Sequence, residues 1–123
     1  MLTVLIVDDE PENVELLQRR LGRRGFRVLT ATSAAEALAV AAAELPGVVL
    51  MDIKMPVVDG FEATTRLKQL DATRHIPVIA LTAHAMQEDR DRAFAAGASD
   101  YETKPVDLDR LVSKIHALAG PPS

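Results

Sequence analysis

Three stretches of the chain place acids, a hydroxyl or an ammonium directly after a run of apolar residues, and a fourth does so after a short strand-like segment. TVLIV, Thr3–Val7, runs into Asp8, Asp9 and Glu10. VVLM, residues 48–51, runs into Asp52. IPVIAL, residues 76–81, runs into Thr82 and Ala83, and YET, residues 101–103, into Lys104 and Pro105. An acid at the end of a strand is ordinarily a loop residue or a cap for nearby amides, so no single position decides anything. Taken together they do. Two carboxylates about 5 Å apart at an effective dielectric near 20 repel by roughly 3 kcal/mol. A cluster of three is therefore a cost unless a cation neutralises it or one member takes a proton. The chain has no cysteine, and no histidine ends these runs. An all-oxygen donor set favours Mg2+, or Mn2+, over zinc. Lys104 adds a fixed positive charge. A carboxylate with a hard cation on one side and an ammonium on the other is a place where a phosphoryl group can land, its non-bridging oxygens bound by the cation, the ammonium and the threonine hydroxyl.

The elements that must position these groups alternate along the chain. Apolar runs at 3–7, 26–30, 48–51 and 76–81, with a short segment at 101–103, are expected as strands. Between and after them, helical spacing predicts helices over about 12–23, 33–45, 60–70, 86–96 and 108–118. Ser33 with Glu36 three residues on reads as a capping box, and Asp107 as the cap of the last helix. Arg27 inside the second strand points to partial exposure. Strands alternating with helices imply βαβ units and a parallel sheet covered on both faces, and continuous apolar strands fit burial on both sides. In such a sheet, chemistry gathers outside the carboxyl ends of the strands.

The bulk composition narrows the function further. At 123 residues the chain is expected to be one domain over 1–119, with a linker-like tail, GPPS, at 120–123. A net charge of −4 argues against nucleic-acid binding through a broad basic face, and Phe26, Phe61, Phe94 and Tyr101 are too few for base stacking. No apolar stretch is long enough to span a bilayer and no basic leader opens the chain, so a cytoplasmic protein without membrane contact is expected.

The motifs VLIVDDEPEN, VVLMDIKMPVVDGFE, IPVIALTAHA and GASDYETKPV, in this order over the whole length, resemble the receiver domain of bacterial response regulators in two-component phosphorelays. The resemblance implies a single doubly wound (βα)5 α/β domain, flavodoxin-like, with a five-stranded parallel sheet of order 2-1-3-4-5. It implies that Asp52 is the phosphoacceptor, and that Asp8, Asp9, Asp52 and the Lys54 backbone carbonyl hold Mg2+. Thr82 and Lys104 would bind the phosphoryl group, and the Lys104–Pro105 bond is often cis in the family. Tyr101 matches the aromatic that turns inward when Thr82 is drawn toward the phosphoryl group. Lys54, Ala83 and His84 fall at variable rim positions. The donor would be a phosphohistidine of a histidine kinase or phosphotransfer protein. A downstream protein would dock on the face of the fourth helix, fifth strand and fifth helix, where Glu102 is expected as an exposed edge charge. The protein would be a switch and not an enzyme.

Two other readings compete. An aspartate-nucleophile phosphohydrolase carries its nucleophile in a D-x-D pattern after the first strand, where this chain has Asp8-Asp9-Glu10. A phosphorylation-independent interaction module on the same fold has no need of these acids, and all are present. A dinucleotide enzyme lacks its glycine fingerprint here. His75 and His116 read as surface or internally satisfied residues, and Met51 and Met55 as packing.

Overall fold

The expected alternation becomes ten elements in the computed structural model, which describes residues 1–55, 57–83 and 86–120. In chain order they are β1 (Thr3–Val7), α1 (Pro11–Arg23), β2 (Arg27–Ala31), α2 (Ala34–Glu44), β3 (Val48–Asp52), α3 (Gly60–Gln69), β4 (Val78–Thr82), α4 (Gln87–Ala96), β5 (Asp100–Thr103) and α5 (Leu108–Ala119). The strands form one parallel sheet of order β2-β1-β3-β4-β5, the doubly wound, flavodoxin-like order that the resemblance implied. Residues 121–123 of the expected tail lie outside the described residues.

Strand pleating divides the core. Val4, Ile6, Val48, Leu50, Ile79 and Leu81 point to one face, against Val14, Leu17 and Leu21 of α1 and Leu111 and Ile115 of α5. Leu5, Val7, Val49, Met51 and Val78 point to the other, against Ala34, Ala37 and Ala41 of α2 and Ala63 and Leu67 of α3. Each fully buried leucine or isoleucine is worth about 1.5–3 kcal/mol, so these two layers hold the strand ends rigidly in register. The third cluster, Phe61, Ala80, Ala93 and Ala98 with Tyr101 against it, is smaller. Helix α4 buries only Ala93 and has no side-chain cap at its start.

Several boundaries move for identifiable reasons. Helix α1 starts at Pro11 and not at Glu12, because proline at the first helical position has its φ already set and no N–H to leave unpaired. Phe26 leaves β2: its N–H goes back to the Leu21 carbonyl at 3.3 Å and its ring is buried. That puts Arg27 at the exposed start of the strand. Ser33 accepts from the Glu36 N–H at 3.2 Å, but the returning arm of the capping box goes to Thr32, at 3.3 Å to its N–H and 3.0 Å to its hydroxyl. Asp107 caps α5 as expected, accepting from Arg110 N–H at 3.0 Å. Asp52 and Thr82 are the last residues of their strands and not the first beyond them. No helix among the described residues is long and apolar enough to cross a membrane.

Glu102 corrects an expectation outright. It is 2% exposed, not a surface charge on an edge strand. Helix α5 lies over it and supplies Arg110, at 3.0 Å from Nε to both carboxylate oxygens, and Lys114 at 3.1 Å. A carboxylate flanked by two cations can be buried where a lone one cannot.

Candidate functional site

Strand order reverses between β1 and β3, the switch point where a crevice opens in this architecture. Asp8 follows β1 and Asp52 ends β3, at 3% and 5% exposure; Asp9 is half-buried. One oxygen from each of the three carboxylates lies within 4.8 Å of the others. Lys104, just past β5, reaches across from the other side: its Nζ is 3.3 Å from Asp8 Oδ2 and 3.1 Å from Asp52 Oδ1. The Lys104–Pro105 peptide is cis, and the Lys104 N–H donates to the Thr82 carbonyl at 2.8 Å. Thr82, 7% exposed, closes the end of β4. Sheet register therefore delivers three acids, a hydroxyl and an ammonium to one edge.

The loops are shaped to keep that edge open. The Glu10 N–H donates to Asp8 Oδ1 at 3.0 Å, and Asn13 donates to Glu10 at 3.0 Å. Helix α3 starts hard against the end of β3. A Cβ on Gly60 would sit 2.2 Å from the Asp52 carbonyl oxygen and 2.7 Å from Ile53 Cα, so only glycine permits this approach. Asp59 caps the helix by accepting from Glu62 N–H at 2.9 Å.

Electrostatics marks Asp52. Burial, then the charge of Asp8, raise its pKa from 3.8 to about 6, against the opposing pull of Lys104 and a backbone hydrogen bond from Lys54. Lys104 moves up as well: burial pushes it down, but the charges of Asp52 and Asp8 outweigh that. Three carboxylates against one ammonium leave the cluster short of two positive charges, and an all-oxygen set of this kind suits a hard divalent cation.

A cleft of about 450 Å3 opens over Asp52 and is lined by Thr82, Ala83, Lys104, Lys54, Phe61, Glu10, Asn13, Asp59, Asp89 and Arg92, among others. Lys54 and Ala83 are exposed at it; His84 lies outside the described residues. Tyr101 stands away from this cleft, half-buried, with Phe94 edge-on at 6.2 Å and the Arg90 guanidinium over its ring at 5.0 Å. Sequence reasoning missed Arg92 and Asp89, which reach the cleft from α4, because no local spacing marks a helix residue that faces a strand end from the neighbouring layer. His116 stacks on Phe26 at 5.4 Å and places Nδ1 3.2 Å from the Gly120 carbonyl, an internally satisfied position.

The fold and this edge are those of a known class. Residues 4–116 match the response regulator receiver domain, and the chain belongs to that family, the signalling switches of two-component systems. It is 43% identical over 121 residues to protein PilH of Pseudomonas aeruginosa, covering 98% of this chain and 100% of that one. It is 42% identical over 115 residues to the response regulator PleD of Caulobacter vibrioides, covering 94% of this chain but only 25% of PleD. Among solved structures it is similar to the receiver domain of a sensor histidine kinase from Pseudomonas aeruginosa PAO1, described with a magnesium ion coordinated in the active site cleft. That likeness has a TM-score of 0.89 and 32% identity, and covers 98% of both chains.

Proposed function

We propose that this protein is a phosphorylation-operated switch in which Asp52 accepts a phosphoryl group from a phosphohistidine of a histidine kinase or phosphotransfer protein. The observation that carries the reading is the buried Asp8–Asp52 pair sharing Lys104 at 3.3 and 3.1 Å. Asp8, Asp9, Asp52 and the Lys54 carbonyl would hold Mg2+, for which Mn2+ can substitute; the bound cation supplies charge neutralisation for the phosphoryl oxygens. The chain's own groups do the rest. An ionised oxygen of Asp52 forms the bond to phosphorus while the phosphorus–nitrogen bond breaks, and the electron pair returns to the imidazole. With a pKa of about 6, Asp52 is mostly ionised at neutral pH and ready to act. Lys104 stabilises charge on the non-bridging oxygens, and Thr82 binds one of them. Its movement would let Tyr101 turn inward and reshape the face of α4, β5 and α5 for a downstream protein, by shifting an equilibrium between two states. In this reading the phosphoryl group stays on Asp52 as the signal, and the protein acts as a phosphoacceptor switch with at most slow self-dephosphorylation.

The test is incubation with acetyl phosphate and Mg2+. The protein should gain one phosphoryl group that hydroxylamine removes, EDTA should abolish the gain, and Asp52→Asn should gain none. Stable labelling of Asp52→Asn at the wild-type rate refutes the assignment. For the switch, beryllofluoride with Mg2+ should shift amide resonances from Asp52 out to Tyr101. Thr82→Ala should confine those shifts to the acid cluster; unchanged distant shifts in that variant exclude the Thr82–Tyr101 route.

A further inference from the structure

We propose that Arg92 is a donor-binding residue: its guanidinium receives the phosphoryl oxygens of the incoming phosphodonor at the mouth of the cleft and makes the site selective for dianionic donors. The proposal rests on Asp52 being the acceptor. Arg92 lines the cleft that opens over Asp52, and its guanidinium carbon lies 4.1 Å from the centroid of the Phe61 ring. Phe61 is fixed, at 8% exposure, in the cluster with Ala80 and Ala93. Stacking holds a guanidinium by its face and leaves its N–H donors free in the plane, the fork that matches a phosphoryl group.

Acids are within easy sequence reach of Arg92, yet it takes none of them. Glu88 stands at the favourable i−4 position, the arrangement in which Glu15 pairs Arg19 and Glu62 pairs Arg66. Asp89, one turn back, lines the same cleft. Arg92 forms no ion pair among the described residues; the ring holds it and its donors stay unpaired by carboxylate. The other cations of the cleft are less suited. Lys104 is engaged by Asp8 and Asp52, and Lys54 is exposed, with no ring contact among the described residues. Once a divalent cation balances the acids, Arg92 is the pre-oriented positive charge that a dianion meets first. In the transfer, an Asp52 oxygen bonds to phosphorus as the bond to the leaving group breaks and the electron pair departs with that group. Arg92 only donates hydrogen bonds to non-bridging oxygens and exchanges no proton.

The experiment measures initial phosphorylation rates of the full chain against acetyl phosphate concentration, at saturating Mg2+ and at low and high ionic strength. Arg92→Met keeps an apolar side chain on Phe61 and removes the charge. Its rate per unit of donor should fall about fivefold at low salt, the size of one partly screened charge, and its salt dependence should flatten. Arg92→Lys should recover part of the rate, and Arg92→Glu should fall below Arg92→Met. Beryllofluoride affinity should drop in parallel, whereas Mg2+ affinity without donor should hold or tighten, because removing a cation cannot weaken binding of another. Arg92→Met rates within about twofold of wild type at both salt levels overturn the role of Arg92 while wild-type labelling at Asp52 stands. Absence of labelling at Asp52 in wild type overturns the acceptor reading and this one with it.

Discussion

Asp52 and Glu102 are both buried acids, each beside a lysine, and their surroundings drive them in opposite directions. At Asp52, burial and the neighbouring Asp8 win over Lys104, and the pKa rises to about 6. At Glu102, burial also pushes upward, but hydrogen bonds and charge from Arg110 and Lys114 bring the carboxyl below its usual range. Both sit at 5% exposure or less, and burial pushes both upward, so exposure alone does not separate them. The difference is the local count of charges. Around Glu102 the cations equal or exceed the acids, and the region is complete within the chain. Around Asp52 the acids exceed the cations, and the missing charge must come from outside. A perturbed acid in an open cleft marks function, and a satisfied one beneath a helix marks structure.

The sharpest way to separate them is substitution in metal-free protein. Asp52→Asn should stabilise the fold at pH 8 by roughly 2–3 kcal/mol, the size of its pKa displacement, and saturating Mg2+ should narrow the gap because the cation stabilises the intact site. Urea melts read this directly, and a destabilised variant without metal contradicts the crowding at Asp52. Lys114→Met should act in the opposite sense, costing about 2 kcal/mol as the buried Glu102 carboxylate loses one of its two cationic partners. It should do so with or without Mg2+.

The pH dependence should diverge as well. For Asp52 the folded pKa exceeds the unfolded one, so its contribution is fully present below about 3.8 and is lost as pH rises through about 6. For Glu102 the folded pKa is depressed, so its contribution is present above the ordinary glutamate value and is lost as pH falls. In metal-free melts, Asp52→Asn should remove the decline between about pH 4 and pH 6 and leave the acid-side loss intact. If wild type and Asp52→Asn have the same profile over that interval, the raised pKa is wrong. The smallest effect belongs to an exposed pair: Arg24→Gln, which breaks the contact with Asp109 at the surface, should change stability by less than about 0.5 kcal/mol at any of these pH values.

The same contrast explains which groups the order of amino acids discloses by itself. Asp8, Asp52 and Thr82 are legible because each ends or directly follows an apolar run, and Lys104 because it closes the short fifth segment; parallel register then carries all four to one edge. Glu102 looks like an edge-strand charge because its partners come eight and twelve positions later, on a helix whose docking no local pattern reveals. Arg92 is hidden for a related reason: its ring partner Phe61 belongs to a different helix, and the i−4 glutamate at Glu88 invites a pairing that tertiary structure declines. Boundaries slip by a residue where a backbone bond, such as Phe26 to Leu21, outcompetes strand pairing.

Helix α4, with Ala93 as its one buried residue and no side-chain cap, also has a kinetic consequence. Aromatic contacts at Arg90, Arg92 and Phe94 tie it to the rest in place of a deep apolar face, so its local opening costs far less than unfolding the sheet. Amide hydrogens in α4 should exchange with solvent well ahead of those in α5, whose Leu111 and Ile115 are fully enclosed. A protein that docks on α4 would be met by a surface that re-forms many times within the life of one folded molecule.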